Sequence, residues 1–172
     1  ESAAVSAPTR PATFRDLYTT ASYGRAILRA LKGDLSIEAR MRLRVTLHGG
    51  TTVQHVALNE LAVAHGDLAR VVDLEAYLDS VRITTYKADG LIVATPTGST
   101  AYTLAAGGPV LTPDLQAMVV TPICSHALTH RPLVVPASST LLVRIVGDRT
   151  DRLRLTIDGQ LGEECERGAW ID

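Results

Sequence analysis

The chain has 172 residues, of which 46% are hydrophobic and 20% are charged, and its formal net charge is -1. This length and composition fit one globular domain, or one domain of a larger protein, and exclude a disordered chain. The near-neutral charge and the 4% of aromatic residues argue against a nucleic-acid-binding surface.

The first 33 residues are predicted to form a tail followed by a helix. Residues 1–11 are small, polar and proline-containing, as in a tail or linker. From Ala12 to Lys32 the apolar residues recur every three or four positions, and Gly33 suits the end of a helix. We therefore predict a boundary at residue 33, with a β-rich domain over residues 34–172.

Beyond Gly33 the apolar residues recur with a period of two, which is typical of strands. Asp158-Gly159 predicts a hairpin turn, as does the segment His48–Thr51. Strands about every ten residues favour a β-sandwich or a closed sheet, so the predicted fold class is mainly β with a few short helices. A helix is predicted over 100–106, and strands over 41–47, 52–64, 68–78, 81–86, 91–94, 119–121, 133–135, 141–146, 152–157 and 170–172.

The chain offers neither a disulfide framework nor a membrane span. Cys124 and Cys165 lie far apart and form no CxxC pair, which favours a reduced, cytoplasmic protein. No apolar run reaches the roughly 18 residues that a membrane-spanning helix needs. We therefore expect no membrane partner.

Asn59 and Glu60 interrupt an otherwise apolar strand. A charge buried there without a partner would cost several kcal/mol, on the order of the whole stability of a domain. Three interpretations are open: the strand bends, it carries an edge bulge, or the two side chains face a wet functional site.

A loop dense in hydroxyls and glycine follows the apolar strand at 91–94. It reads TPTGSTAY over 95–102, and AGGP follows at 106–109. Such a loop offers backbone N–H groups and small side chains to a polar ligand. If Ser99 or Thr100 caps the following helix, the helix N-terminus would favour a phosphate. The alternative is a strand-to-helix turn that binds no ligand, and Asp89 could serve only as a turn residue.

Three other kinds of site were considered. The chain has no GxxxxGK phosphate loop and no GxSxG nucleophile elbow. Cys124, His126 and His130 have a spacing compatible with zinc, but no fourth ligand is evident. We therefore expect no metal site there and interpret the histidines as hydrogen-bonded loop residues.

Taken together, these motifs strongly resemble the NAD kinase family. The resemblance rests on Asn59-Glu60, on ADGLIVATPTGSTAY at 88–102 and AGGP at 106–109, and on TPIC at 121–124, RPL at 131–133 and DGQ at 158–160. Their order and spacing match the family from about residue 34 to residue 172. The family has an α/β N-terminal domain and a mostly β C-terminal domain, with the site between them, and the predicted strands agree with the C-terminal domain.

The resemblance implies roles for seven residues. Asn59 would hydrogen-bond the adenosine part of NAD, and Glu60 would approach the ribose and diphosphate. The adenine and ribose pocket would be lined by Thr97, Thr100, Ala101 and Tyr102. Asp89 would reach the dinucleotide of a neighbouring subunit, which implies a homo-oligomer, a dimer or a tetramer.

The chain also departs from the family pattern. The family's GGDGT phosphate-binding motif, whose aspartate is the expected general base, does not occur in this sequence. We therefore expect the chain to be the C-terminal NAD-binding domain, with no catalytic residue of its own and no activity alone. In addition, Ala105 stands where many members have a serine, which removes one hydroxyl from the expected pocket.

The activity implied by the resemblance is phosphorylation of the adenosine-ribose 2′-hydroxyl of NAD to give NADP. The phosphoryl donor would be ATP or polyphosphate, and the full-length enzyme would require Mg²⁺. Two alternatives remain open. One is a lipid kinase of the diacylglycerol or sphingosine type, and the other is a non-catalytic module that binds nucleotides or assembles subunits.

Overall fold

The computed structural model describes residues 39–66, 71–127, 129–146 and 153–172. These residues belong to one compact unit, Ala39–Asp172. The predicted helix over 12–32 and the predicted boundary at residue 33 lie outside the described residues. So does the start of the strand predicted over 68–78.

Twelve strands make up most of the described part of the chain. They are β1 (Leu43–His48), β2 (Val53–Ala57), β3 (Glu60–His65), β4 (Val72–Leu78), β5 (Val81–Ala88), β6 (Gly90–Ala94), β7 (Ala117–Ile123), β8 (Leu133–Pro136), β9 (Leu141–Val146), β10 (Leu153–Ile157), β11 (Leu161–Cys165) and β12 (Trp170–Ile171). A 3-10 turn spans Gly98–Thr100, and a short helix, α1, spans Tyr102–Ala105.

The strands form two six-stranded sheets with antiparallel pairing. The first sheet has the order β2-β1-β12-β9-β4-β5, and the second has the order β11-β10-β3-β6-β7-β8. Apolar residues of both sheets form one buried cluster between them, including Leu74 and Val143 of the first sheet and Val63 and Leu155 of the second. The prediction of a mainly β, sandwich-like domain is thus confirmed.

The central strands of the second sheet are buried on both faces. Every residue of β6 is buried. Leu91 and Val93 face the core between the sheets, while Ile92 and Ala94 join Ala62 in a smaller cluster packed against Ala106. Burial on both faces explains why β6 reads as a continuous apolar run rather than an alternating one.

The prediction of a single strand over 52–64 is wrong. Its first part is β2, at the edge of the first sheet, and its second part is β3, near the middle of the second sheet. We call the connection between them, Leu58–Asn59, the crossover. The backbone groups of the crossover find partners outside any strand ladder, which allows the chain to change sheets there without leaving buried polar groups unpaired.

Smaller differences have local causes. The sequence does not predict the strand β11. Its segment, LGEEC, lies at the sheet edge and buries only Cys165, so it shows no alternation of apolar and polar residues. The turn predicted at His48–Thr51 is confirmed, since β1 and β2 pair with Leu47 opposite Val53. Among the described residues, no helix has the length and apolar character needed to cross a membrane.

Candidate functional site

In the second sheet, β3 begins at the same end of the sheet at which β6 and β10 finish. Glu60, the first residue of β3, pairs with Ala94, the last residue of β6. Leu61 pairs with Ile157, the last residue of β10. Because these strands are antiparallel neighbours, the crossover, the loop after β6 and the turn after β10 all lie at the same end of the sheet.

The crossover is held from one side by Thr95, the first residue after β6. Its hydroxyl donates to the Leu58 carbonyl at 2.6 Å and accepts from the Gly98 N–H at 3.1 Å. Its own N–H donates to the Asn59 carbonyl at 2.8 Å. Thr95 is fully buried, so these bonds are shielded from water.

Replacing Thr95 by valine is expected to lower the free energy of unfolding by about 2 kcal/mol. The shape of the side chain is kept, but the Leu58 carbonyl and the Gly98 N–H each lose a buried partner. Urea unfolding of the variant measures the loss. The exposed Thr52, changed to valine, serves as the control and should shift stability by no more than about 0.5 kcal/mol. Equal stabilities for the two variants would contradict this role of Thr95.

The crossover is held from the other side by Asp158. Its carboxylate accepts the N–H groups of Leu58, Asn59 and Glu60, at 2.9, 2.7 and 3.1 Å. The sequence predicts only a tight turn at Asp158-Gly159. That turn is present, with φ values of 49° and 67° and a 3.0 Å bond from the Gln160 N–H to the Ile157 carbonyl. The turn motif carries no signal for the second contact, which joins residues about 100 positions apart.

The loop after β6 is anchored by Ser99 and leaves its later residues accessible. The Ser99 hydroxyl donates to the Pro96 carbonyl at 2.6 Å and accepts from the Leu111 N–H at 3.0 Å. Thr97 is half-buried, whereas Thr100, Ala101 and Tyr102 are exposed.

The condition for a phosphate at the helix N-terminus, that Ser99 or Thr100 caps the helix, is not met. Ala101 is the N-cap residue of α1 and makes no side-chain capping bond. The Thr100 hydroxyl instead donates to the Thr97 carbonyl within the loop. With only four residues, α1 also provides no substantial helix dipole for a phosphate.

Glu60 is the buried acid of this region. Its side chain is 7% exposed, and its Oε2 atom has no hydrogen-bond partner among the described residues. The pKa of Glu60 is raised from 4.5 to about 7: burial is the largest cause, the nearby negative charge of Asp158 adds to it, and a hydrogen bond from the Tyr102 N–H acts in the opposite direction. Glu60 therefore changes charge near neutral pH and lies against the backbone of the first residue of α1.

Six of the seven predicted residues are thus grouped at one end of the second sheet. They are Asn59, Glu60, Thr97, Thr100, Ala101 and Tyr102. Asp89 is separated from them, because it precedes Gly90 at the opposite end of β6, about 15 Å away along the strand. Its N–H donates to the Ile123 carbonyl, and its carboxylate lies 3.7 Å from the His126 ring.

The Cys124–His130 segment has contacts of its own. The His130 ring lies within hydrogen-bond distance of the hydroxyls of Ser125 and Thr84, at 3.1 and 3.4 Å, and packs edge-on against Tyr86. Among the described residues, no group of three or more His, Cys, Asp or Glu side chains is placed to hold a metal ion. A cavity of about 390 Å³ lies elsewhere, between the sheets, and none of the seven predicted residues lines it.

Comparison with known proteins identifies the domain. Residues 58–172 match the family model described as the ATP-NAD kinase C-terminal domain. The NAD kinase of Geotalea daltonii is 46% identical over 148 residues, which cover 85% of this chain and 52% of that protein. The NAD kinase of Geobacter metallireducens is 44% identical over 145 residues, which cover 83% and 51%.

Two solved structures have a similar fold. Yeast NADH kinase in complex with NADH gives a TM-score of 0.76 at 28% identity, covering 88% of this chain and 44% of that one. The NAD kinase of Archaeoglobus fulgidus in complex with ATP gives 0.65 at 27% identity, covering 87% and 56%.

The fold and the matched residues thus define a β-sandwich domain of the kind found in the C-terminal part of NAD kinases. The chain belongs to the NAD kinase family, and the matched part is the family's C-terminal domain. It spans about half the length of the curated relatives that it matches.

Proposed function

We propose that this chain is the NAD-binding domain of an NAD kinase, which phosphorylates the 2′-hydroxyl of the adenosine ribose of NAD to give NADP. The observation that carries this proposal is the convergence of Asn59 and Glu60 with the loop 97–102 at one end of the second sheet. Members of the same family are named as NAD kinases, and one related structure contains NADH.

Each grouped residue has a role that suits its position. The Asn59 side chain, half-buried on the crossover, orients the adenosine through its amide. Tyr102 is 47% exposed, and its ring offers an apolar face on which the adenine stacks. Glu60 accepts hydrogen bonds from ribose hydroxyls when it is ionised, and Thr97 adds a hydroxyl at the rim.

The phosphoryl donor is assigned to a different part of the enzyme. ATP, or polyphosphate, binds at the GGDGT motif that this sequence lacks, and the aspartate of that motif is the base. Mg²⁺ accompanies the donor phosphates. Asp158 is not assigned as a magnesium ligand, because its carboxylate already accepts three N–H groups. No described residue is therefore assigned to the metal, and the chain alone is expected to be inactive.

The homo-oligomer is proposed from the family resemblance, which assigns Asp89 to the dinucleotide of a neighbouring subunit. The position of Asp89, at the opposite end of β6 from Asn59, is compatible with that assignment. Dimers and tetramers both satisfy this arrangement. The cytoplasmic location stays a prediction from the spacing of the two cysteines.

Replacing Asn59 by alanine is expected to weaken NAD binding about tenfold, because one polar contact to the adenosine is lost. Calorimetric titration of NAD into the chain measures this, with the oligomer mass recorded in the same buffer. Gln54, an exposed amide on β2, provides the matched control as Gln54→Ala and should bind NAD as the unchanged chain does.

Equal affinity for the Asn59 and Gln54 variants would contradict the assignment of the site. If the unchanged chain does not bind NAD, the same variants are tested in an enzyme that includes the GGDGT half. NADP formation that is lost only with Asn59→Ala supports the proposal, and lipid phosphorylation without NADP formation overturns it in favour of a lipid kinase. NADP formation from NAD and ATP by this chain alone would overturn the assignment of the base.

A further inference from the structure

The turn that Asp158 occupies does not by itself require a carboxylate. Asp158 and Gly159 have φ values of 49° and 67°, a pair typical of a two-residue hairpin turn. Glycine and asparagine adopt such values as readily as aspartate does. The β4–β5 turn is its counterpart in the other sheet, with Asp79 and Ser80 at 48° and 71°.

The carboxylate of Asp158 makes contacts that the turn does not need. Oδ1 accepts from Asn59 and Glu60, and Oδ2 accepts from Leu58, so three consecutive N–H groups end on one carboxylate. The Asp158 N–H in turn donates to the Glu60 carbonyl at 2.9 Å. Hydrogen bonds to an ionised acceptor are roughly twice as strong as neutral ones.

These contacts hold the backbone that carries the side chains of Asn59 and Glu60. The crossover belongs to no strand ladder, so nothing periodic holds its backbone. Thr95 donates hydrogen bonds to the carbonyl groups of the crossover, and Asp158 accepts hydrogen bonds from the N–H groups of the crossover. A carboxylate offers about four acceptor positions, of which three are occupied here, so Asp158 is better suited to hold the backbone than to bind a ligand directly.

We propose that Asp158 is a positioning residue for the dinucleotide site, because its carboxylate holds the backbone on which Asn59 and Glu60 are carried. This inference rests on the proposed function, since it concerns the same site. It assigns to the DGQ segment a role distinct from that of a turn.

The experiment compares Asp158 with Asp79. Asp79 has the same residue type and the same backbone conformation, and its Oδ1 also accepts a backbone N–H, that of Thr140 at 2.8 Å. The variants are Asp158→Gly, Asp158→Asn, Asp79→Gly and Asp79→Asn. Glycine and asparagine keep both turns, so each glycine variant removes the carboxylate without straining the backbone.

Two readouts are measured on the 172-residue chain. The first is amide hydrogen exchange at Leu58, Asn59 and Glu60, and the second is the affinity for NAD. In Asp158→Gly we expect exchange at these three amides to rise at least about tenfold and NAD affinity to fall about tenfold. Asp158→Asn, which keeps one acceptor oxygen, should lie between the unchanged chain and the glycine variant. Both Asp79 variants should leave these amides and NAD affinity unchanged.

The outcomes separate this inference from the proposed function. Unchanged exchange at the three amides in Asp158→Gly overturns the inference. Faster exchange with unchanged NAD affinity also overturns it, because Asp158 would then serve the fold alone. If the unchanged chain and the GGDGT-containing enzyme both fail to bind NAD, the proposed function is overturned, and faster exchange would still support the role of Asp158 in holding the crossover.

Discussion

Replacing Gly98 by alanine is expected to lower the free energy of unfolding by about 3 kcal/mol or more and to weaken NAD binding at least about tenfold. A β-carbon at this position would lie within 3.0 Å of the carbonyl oxygen, the carbonyl carbon and the Cα of Asn59. These are backbone atoms, held by Thr95 and Asp158, so they do not yield as a flexible side chain would. The loop after β6 and the crossover must therefore separate.

Gly66 provides the control for this substitution. No described atom lies within 4 Å of a β-carbon at Gly66, so Gly66→Ala should change stability by no more than about 0.5 kcal/mol. Unfolding in urea gives the stabilities of both variants, and titration with NAD gives their affinities. A Gly98→Ala chain as stable as the Gly66→Ala chain would show that the loop and the crossover are not in close contact.

Replacing Glu60 by glutamine is expected to stabilise the chain by about 2 kcal/mol at pH 8 and to have little effect at pH 5. The pKa of Glu60 is raised from 4.5 to about 7 by burial, with a further contribution from the charge of Asp158. Between pH 4.5 and about pH 7 the folded chain keeps a proton on Glu60 that the unfolded chain releases. The free energy of unfolding of the unchanged chain therefore falls as the pH rises from about 4.5 to about 7, and this contribution is constant above that range.

The expected magnitude follows from the size of the shift. The full shift corresponds to about 3 kcal/mol, and relaxation of the protein around a buried charge lowers the expected value to about 2 kcal/mol. Glutamine resembles the protonated acid and removes the titration. Stability is measured by urea unfolding at several pH values between 5 and 8.

The control for the pH series is Glu166→Gln, at an exposed position. Its stability relative to the unchanged chain should not vary with pH by more than about 0.5 kcal/mol. The decisive quantity is the difference between the two variants, because other groups titrate equally in both. If that difference is the same at pH 5 and pH 8, Glu60 does not keep its proton in the folded state.

Local patterns were sufficient to predict most of the strands. The alternation of apolar and polar residues identified β1, and a run of β-branched residues identified β5. The pair Asp158-Gly159 identified the turn after β10. These features depend on neighbours within a few positions, so the sequence displays them directly. The polar pair Asn59-Glu60 likewise marked a break in an apolar segment, although the sequence left open whether the strand bends or faces a functional site.

The sheet to which each segment belongs was not predictable in the same way. Residues 53–57 and 60–65 share one apolar pattern, yet they lie in different sheets. Periodicity reports which face of a strand is buried and carries no information about its partner strand. What covers the outer face of β6 was unpredictable for the same reason, because Ala106, which follows α1 in the chain, packs there against Ile92, Ala94 and the neighbouring Ala62 of β3.

The sequence alone determined that the chain is a mainly β domain, that it resembles the NAD kinase C-terminal domain, and which residues are candidates for the dinucleotide site. Only the tertiary structure decided how that site is held together. Gly98 is required by a contact with Asn59, and Asp158 bonds residues about 100 positions away. Such contacts form only when distant backbone segments approach each other. They therefore cannot be read from the residues that neighbour each position in the sequence.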